Sequence, residues 1–573
     1  MTKNVKQMTS GLKDFEKVGS VRGMQRLIYF KWPCIALTLL LLILGALRPL
    51  ALPDEGRYAE IGRWMGVSGD WLAPRLNGLP FFHKPPLLYW LEALVTQTLG
   101  PSAWFVRLIP GFHAVIVLVI IGPLLNKVLG NSVALRSVII FGTSAAFLLG
   151  GQYINHDMMV ACWISVAIAS FGCFVIQSQS CASPDKPYVV SQSRTLKHTA
   201  WIGFAACALG VLSKGLIGAV LPGWVIFLWL CWSGRWSVLK ALPWGSGLFI
   251  FTCITLPWFL LTERAYPGML DYMFGVHQFE RFTGTHFNNS QPFWFYALAI
   301  SLLLGPWVIW FWAYQIRRIY ELSVLSRQLG LKASGKLLLS QFKHSQQCQR
   351  TDQELVVSLC IIWVWAIVIF FSIPQSKIIG YVLPVTPPMA VLCALGWERL
   401  MKNARFEKRI WQSLIALSVV IVVIINDQAT KMTRHHFSED IAKVLRCQDL
   451  KNAQVMVAGE YPYDLPFLAL LKRPMWVVQD WEFERANAGD GWKRELFEGA
   501  NFESVNTDLL KPLNTLELEY GHADRWLVTP SNWSGLALLD RLGYTLVSSG
   551  SAWNLYRTPS TIVNPVGTSE SCF

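Results

Sequence analysis

The feature that most constrains this chain is a series of apolar runs, each about as long as a bilayer is thick. A helix needs roughly 20 apolar residues to cross the hydrocarbon core. With 53% hydrophobic and only 15% charged residues among 573, the composition is typical of a polytopic α-helical membrane protein. The predicted spans are 33–52, 105–125, 137–155, 158–178, 199–213, 216–232, 244–262, 292–314, 355–373, 379–398 and 410–427.

The positive charges predict how these spans are oriented. The formal net charge is +14, and its basic residues cluster in short loops between apolar runs, which favours membrane orientation over nucleic-acid binding. Segment 1–32 is basic and lacks a cleavable signal-peptide pattern, so we expect it to stay in the cytoplasm. Strict alternation then places a set of basic loops on the same side: 126–136, 179–198, 233–243, 315–354 and 399–409.

One apolar stretch is predicted not to cross. Residues 85–100, "PPLLYWLEALVTQTLG", are short for a span and contain Glu92, so we interpret them as a helix at the membrane interface. This assignment leaves loop 53–104 and everything after residue 428 on the trans side.

Several charged residues lie at span ends on that trans side, against the orientation bias. Singly, each basic residue would be a solvated loop charge, but together they indicate a shared anionic ligand. Asp54 and Asp157 lie at the same level, and paired carboxylates beside cations fit a transfer reaction on a lipid-linked phosphate ester. The alternative for each carboxylate is a helix cap. The basic residues include Arg57, Lys84, Lys214, Arg281 and Lys377.

A resemblance to a known family rests on five stretches that occur in the family's order. The chain is similar to membrane glycosyltransferases of the GT-C superfamily, in particular the aminoarabinose transferases and protein O-mannosyltransferases of glycosyltransferase families 39 and 83. The matching stretches are "PDEGRYAEIGRWMGVSGDWLAPRLNGLPFFHKPPLLYW", the Asp157 region, "VLSKGLIGAVLPG", "HQFERFTG" followed by "PFWFYALAISLLLGPW", and "FSIPQSKIIGYVLPVTPPMAVL".

The resemblance implies a GT-C fold in the inner membrane of a bacterium. It also implies a polyprenyl-phosphate sugar donor such as one carrying 4-amino-4-deoxy-L-arabinose, with lipid A or another envelope molecule as acceptor on the periplasmic face, and inversion at the anomeric carbon. Asp54 and Asp157 match the family's active-site carboxylates. The residues implied to hold the donor or its phosphate are Arg57, Tyr58, Lys84, Lys214, Arg281, Lys377 and Tyr381.

Two departures from the family stand out. His83 occupies a position where the relatives have Glu, and His277 lies four residues before Arg281. The two histidines either bind a divalent metal or are ordinary loop histidines. The relatives also have 13 spans, whereas eleven are predicted here, which leaves the sugar and the acceptor open.

The tail, 429–573, is predicted to be a separate periplasmic α/β domain. Strands are expected at 453–459, 475–479, 524–530 and 553–558, and helices at 440–447 and 535–543. Cys447 and Cys572 would form a disulfide in an oxidising compartment, or remain reduced. We expect the domain to lean over the periplasmic mouth and help to select the acceptor.

Three functions are weighed. A lipid-linked sugar transferase explains the paired acids and cations, and its acceptor is lipid A, another glycan or a protein. A flippase or transporter of lipid-linked sugars would need inverted repeats around a midplane site, and we find no repeat in the sequence. A structural protein of the envelope would have no need for this charge pattern.

Overall fold

The structure is a computed structural model, and it describes residues 30–180, 189–190, 194–280, 289–329, 351–401, 404–434, 436–448, 450, 453–487, 489, 491–503, 508–518 and 525–558. Its larger part is a helical bundle, followed by a smaller mixed domain. The helices before the tail are α1 (Phe30–Ala46), α2 (Asp54–Ser68), α3 (Leu87–Thr98), α4 (Ala103–Gly142), α5 (Ala145–Leu148), α6 (His156–Ser178), α7 (Arg194–Lys214), α8 (Ile217–Ser233), α9 (Trp244–Ala265), α10 (Phe295–Leu304), α11 (Val308–Leu329), α12 (Asp352–Ser372), α13 (Thr386–Leu400) and α14 (Glu407–Arg434).

These helices confirm a polytopic α-helical architecture. Within the described ranges, eight helical stretches are long and apolar enough to cross a membrane, and α1 and α8 are shorter apolar helices. The bundle is held by a large apolar core with buried aromatic side chains such as Trp229, Trp307 and Phe311. The exact number of spans stays a prediction. Helix α14 continues to Arg434, past the domain boundary predicted at 428.

Helix α4 contains the predicted span 105–125 but only the first residues of the predicted span 137–155. The remainder of that span is divided between the short α5 and a 3-10 turn at Gly150–Gln152, so the prediction of one helix over 137–155 is wrong. The 40 residues of α4 would measure about 60 Å if straight, about twice the thickness of a bilayer core. Gly130 interrupts it with φ 82° and ψ 165°, a left-handed conformation that glycine adopts readily. The chain therefore breaks at Gly130, between the predicted spans 105–125 and 137–155.

The loop between α1 and α4 folds into a helical hairpin. Helices α2 and α3 pack closely, because a Cβ at Gly62 would lie only 2.2 Å from the Cβ of Glu92. Between these helices, strands β1 (Arg75–Leu76) and β2 (Leu79–Pro80) pair antiparallel. A two-residue turn at Asn77 and Gly78, both with positive φ, joins them. Helix α3 has 12 residues, about 18 Å in length, which is too short to cross a bilayer.

The tail folds as the α/β domain that the sequence predicts. A short pair, β3 (Gln179–Ser180) and β4 (Val189–Val190), precedes it in the chain. The six-stranded sheet of the tail has the strand order β7-β6-β5-β8-β10-β9. Neighbouring strands are parallel from β7 to β8 and antiparallel from β8 to β9. Its strands are β5 (Gln454–Ala458), β6 (Trp476–Val478), β7 (Leu510–Lys511), β8 (Arg525–Pro530), β9 (Thr545–Ser549) and β10 (Trp553–Arg557). Its helices are α15 (Glu439–Arg446), α16 (Leu465–Ala469), α17 (Trp481–Asn487), α18 (Trp492–Ala500), α19 (Thr515–Leu518) and α20 (Leu536–Arg541).

All four predicted strands and both predicted helices of the tail are present, as β5, β6, β8, β10, α15 and α20. The sequence prediction missed the short edge strand β7 and the exposed strand β9, whose residues are mostly solvent-facing. Neither has the buried apolar pattern that identifies a strand.

The tail and the α2–α3 hairpin share one apolar core. Ile61, Met65 and Tyr89 from the hairpin are buried in the same cluster as Val455 and Leu496 from the tail. At Gly56 the tail backbone comes so close that a Cβ would lie 3.1 Å from the amide nitrogen of Asp464. The tail is therefore fixed directly over the first turn of α2, where Asp54 and Arg57 lie.

Candidate active site

The first turn of α2 brings Asp54 into contact with Arg57. The helix begins at Asp54, and no side chain caps it, so the alternative role of Asp54 as a helix cap is wrong. Instead, the Asp54 carboxylate accepts a short hydrogen bond from the Arg57 guanidinium and a second one, of 3.2 Å, from the Tyr153 hydroxyl. The Asp54 side chain is 36% exposed, so its carboxylate is open to a ligand.

Arg57 is the residue around which the site is organised. Its guanidinium also donates to Glu495 of helix α18 in the tail. The rings of Tyr58 and Tyr463 lie 5.0 and 5.4 Å from it, in cation–π geometry. Burial disfavours the cation, but the facing carboxylates outweigh it and hold the pKa of Arg57 well above its usual value. The guanidinium is therefore a fixed positive charge at the junction of the two domains.

Glu55 anchors this turn to the membrane bundle. Its fully buried carboxylate accepts hydrogen bonds from Arg48 and Arg107, and from the backbone amides of Ala51 and Ile154. Burial opposes ionisation, but Arg107 and Arg48 lower the pKa of Glu55 to about 2. Because Ile154 lies three residues before Asp157, Glu55 links the two halves of the site.

Asp157 lies in a second, tighter cluster at the start of α6. Its carboxylate contacts the Lys214 ammonium closely and accepts a 2.9 Å hydrogen bond from the Asn155 amide. Asn155 also caps the helix by accepting from the Asp157 backbone N–H, so the capping role considered for Asp157 belongs to its neighbour. Lys214 in turn lies 4.6 Å from the centre of the Tyr381 ring. The structure thus brings together Asp157, Lys214 and Tyr381.

The segment that contains Lys377 is held in position by hydrogen bonds to the backbone of residues 290–291, and not, within the described residues, by an ion pair with a carboxylate. The Lys377 ammonium donates to the carbonyl of Gln291 at 2.9 Å, and Ser376 forms an isolated β-bridge with Ser290. Three residues further on, Gly380 lies against Asp157, where a Cβ would come within 1.9 Å of Oδ2. This close approach explains a glycine inside the matched "SKIIGY" stretch.

Tyr58 and His156 connect the two clusters. Tyr58 packs edge-on against His156, with 5.1 Å between ring centroids. The His156 ring contacts the carbonyl of Ser213 at 2.7 Å and the hydroxyl of Tyr89 at 3.3 Å. The positive charges of Lys84, Lys214 and Arg57 all interact with His156. Three cations from separate elements therefore lie within electrostatic range of His156.

The two histidines predicted from the sequence are neighbours. The His83 and His277 rings stack with 3.9 Å between centroids, and Glu498 of helix α18 joins them. Their ligand atoms lie within 4.8 Å of one another. Tyr272 donates to Glu498 at 2.6 Å and contacts His83 Nε2 at 2.8 Å. Burial, reinforced by the Glu498 charge, raises the pKa of Tyr272, so its phenol stays protonated.

Two residues with a predicted role lie in parts of the chain that the structure does not describe. Arg281 and Cys572 lie outside the described residues, so the role of Arg281 and the Cys447–Cys572 disulfide stay predictions. The site residues that the sequence did not reveal are Tyr153, Tyr463, Glu495 and Glu498. The one available signal was the spacing of Glu495 and Glu498, which puts both carboxylates on the same side of a helix.

Comparison with known proteins places this geometry in context. A family model described as dolichyl-phosphate-mannose-protein mannosyltransferase matches residues 34–273. The undecaprenyl phosphate-α-4-amino-4-deoxy-L-arabinose arabinosyl transferase of Erwinia tasmaniensis is 30% identical over 389 residues, which are 66% of this chain and 62% of that protein. The corresponding transferase 1 of Sodalis glossinidius is 29% identical over 358 residues, 61% of this chain and 55% of its own length. The matched part thus spans less than two thirds of either relative.

The structural similarity to a known protein covers more of this chain than the sequence similarity does. The crystal structure of ArnT from Cupriavidus metallidurans bound to undecaprenyl phosphate superposes with a TM-score of 0.69. The superposition covers 93% of this chain and 98% of that one at 20% identity. The membrane bundle and the tail therefore both have the fold of the corresponding parts of that structure.

Proposed function

We propose that this chain, which is similar to ArnT and to the mannosyltransferase family model, is a GT-C-type glycosyltransferase using a polyprenyl-phosphate sugar. The donor would be undecaprenyl phosphate carrying 4-amino-4-deoxy-L-arabinose or a related sugar, and the acceptor lipid A or another envelope molecule. One observation carries the proposal: two carboxylate–cation pairs, Asp54 with Arg57 and Asp157 with Lys214, lie where the membrane bundle meets the tail, and Lys84 and both cations are within electrostatic range of His156.

The reaction would place negative charge where these cations lie. An acceptor oxygen attacks the anomeric carbon, and the bond from that carbon to the phosphate oxygen breaks, with inversion. The electron pair leaves on the polyprenyl phosphate, which becomes a dianion. Arg57 and Lys84 would stabilise this leaving group, because preorganised cations act most strongly where charge develops.

The two carboxylates would have different tasks. Asp157 is occupied by Lys214 and Asn155, which suits orienting the donor rather than taking a proton. Asp54 is more exposed and can reach a ligand. With a hydroxyl acceptor, Asp54 would accept the proton as general base. With a lipid A phosphate as acceptor, the oxygen is already anionic, and Asp54 would instead stabilise positive charge on the sugar ring.

We further propose that the chain lies in the bacterial inner membrane with this site in the periplasm. The support is the charge pattern, since the predicted loops that carry Arg136, Lys240 and Arg399 are basic and alternate along the chain with the span ends that carry Asp157 and Lys377. A sugar already linked to the lipid needs no nucleotide, which suits a compartment without nucleotide sugars.

The cluster of His83, His277 and Glu498 fits a divalent metal such as zinc. Two imidazoles and one carboxylate are a ligand set that zinc accepts, with a fourth position left for water or a phosphate oxygen. A bound zinc ion would add positive charge beside the lipid phosphate. Tyr272, hydrogen-bonded to both His83 and Glu498, would orient these ligands as an outer-shell partner.

The tail domain would complete the site and help to select the acceptor. Glu495 binds Arg57, and Glu498 belongs to the histidine cluster, so one face of α18 reaches both groups. An acceptor would have to enter beside this helix.

Membranes containing the protein and a radiolabelled polyprenyl-phosphate aminoarabinose would test the function. We expect label to move to lipid A, and Asp54→Asn to reduce transfer. Asp427→Asn is the matched control, because Asp427 is an exposed carboxylate paired with Lys431 on α14. Transport of the lipid-linked sugar without transfer would support a flippase instead, and label on a protein or another glycan would identify a sister transferase.

A further inference from the structure

A lateral crevice opens between three helices at the end of the bundle opposite the candidate active site. It lies between α8, α11 and α12 and has a volume of about 470 Å³, within the range of ligand pockets in proteins. Ser358 lies near the start of α12, whereas the far end of that helix leads to Lys377. The crevice is therefore separated from the donor site by most of the thickness of the bundle.

The walls of the crevice are apolar and rich in indole rings. Trp232, Trp312 and Trp365 line it together with Ile361 and Ile362. Indole rings favour the interfacial zone of a bilayer, where one part of a ligand is apolar and another is polar. Such walls suit a single lipid chain lying along the helices.

Two polar side chains of α11 interrupt this apolar lining. Gln315 is only 8% exposed and makes no hydrogen bond to any residue that the structure describes. Because the Gln315 amide lines the crevice without such a partner, a ligand there that forms a hydrogen bond with it would be favoured. One turn further on, Arg318 is half-buried in the wall of the crevice.

Arg318 differs from its neighbour Arg317 in its surroundings. Arg317 is exposed and paired with Glu321 at 3.0 Å. Arg318 has no ion-pair partner in the described part of the chain. An unneutralised guanidinium beside an apolar crevice complements a phosphate headgroup.

We propose that this crevice binds an anionic phospholipid of the adjacent leaflet. One acyl chain would lie between α8, α11 and α12, an ester carbonyl would accept a hydrogen bond from the Gln315 amide, and the phosphate would pair with Arg318. The site is independent of the proposed transfer reaction, because it shares no residue with the donor site.

Photocrosslinking in nanodiscs tests this proposal. The full chain would be reconstituted in phosphatidylcholine with a trace of phosphatidylglycerol that carries a diazirine on one acyl chain, and the adducts would be mapped by peptide mass spectrometry. We expect adducts on 312–319 and 358–365. Arg318→Gln should reduce them about tenfold, since a charge-assisted hydrogen bond to phosphate is lost. Arg317→Gln, the matched control, should leave them unchanged.

A second variant keeps the test independent of charge. Ile362→Trp fills the crevice without altering Arg318, and it should also abolish the adducts. Four results would overturn the proposal: equal labelling after Arg318→Gln, equal labelling after Ile362→Trp, equal labelling by a phosphatidylcholine probe, or displacement of the probe by equimolar undecaprenyl phosphate. The last result would assign the crevice to the polyprenyl lipid. Transfer activity in Arg318→Gln should match that of the unmodified chain, which separates this site from the proposed function.

Discussion

At the scale of single residues, one arginine in the site contacts both the membrane domain and the tail domain. The Arg57 guanidinium contacts Asp54 on its own helix and Glu495 in the tail, and both Tyr58 and Tyr463 flank it. A guanidinium has five donors in a planar fork, so it can satisfy two carboxylates and still offer a donor to the proposed phosphate. A lysine ammonium lacks that geometry.

Replacement of Arg57 by lysine should therefore impair transfer although the charge is kept. We expect kcat/KM to fall by about 10² to 10³-fold, the range seen when a preorganised donor is lost from an active site. Initial rates with a labelled donor measure this. Arg405→Lys is the control, since Arg405 is exposed on the loop before α14. Equal rates for Arg57→Lys and the unmodified chain would show that only charge is required.

Gly380 is a second single-residue test, because it leaves no room for a side chain beside Asp157. In Gly380→Ala the new Cβ would overlap Oδ2 of Asp157, and the carboxylate would have to move. We expect transfer to fall about 10²-fold, since small misplacements of catalytic groups have large effects. Gly245→Ala is matched, because nothing lies within 4 Å of its Cβ position. Retained activity in Gly380→Ala would mean that the position of Asp157 is not critical.

At the scale of elements, α2 is positioned by a buried charge cluster rather than by apolar packing alone. Glu55 joins the start of α2 to Arg48, to Arg107 of α4, and to the turn before α6. Its folded-state pKa of about 2 lies below its ordinary value of 4.5. Stability from Glu55 is thus fully present above pH 4.5 and is lost as the pH falls towards 2.

Glu55→Gln should remove that pH-dependent stability. At pH 7 the loss is about 3 kcal/mol, from a pKa difference of roughly 2.5 units. The melting temperature of the detergent-solubilised variant should be lower than that of the unmodified chain at pH 7, and the two should converge as the pH falls from 4.5 towards 2. Glu439→Gln, at an exposed pair with Lys443, should show no such convergence. A constant difference at all pH values would contradict the assignment.

At the scale of the whole molecule, the sequence predicted the bundle, the tail's four main strands and, in the membrane half of the site, four charged residues, although it did not reveal Tyr153. Asp54, Arg57, Asp157 and Lys214 lie beside spans, so topology alone brings them to one face of the membrane. Glu495 and Glu498 were not predicted, because only the docking of the tail brings them near residues such as Arg57, 438 positions away in the chain. Local patterns carry no information about such contacts.

The histidine cluster also contains residues from both domains, so metal binding to it can be used to test how the two domains are joined. His83 comes from the loop after β2, His277 from the helical segment Asp271–Glu280, and Glu498 from the tail. A metal bound by all three would stabilise the docked state, because a ligand that binds only the folded form stabilises it by mass action, about 2.7 kcal/mol at 100 times its Kd.

Zinc should therefore raise the melting temperature of the chelator-treated protein, and it should slow hydrogen exchange in α18 and in the segment Asp271–Glu280 together. His277→Ala and Glu498→Gln should each abolish both effects. His198→Ala is the control, since His198 is exposed near the start of α7. Protection of the histidine segments without α18 would mean that zinc binds His83 and His277 alone, and that the docking of the tail does not depend on the metal.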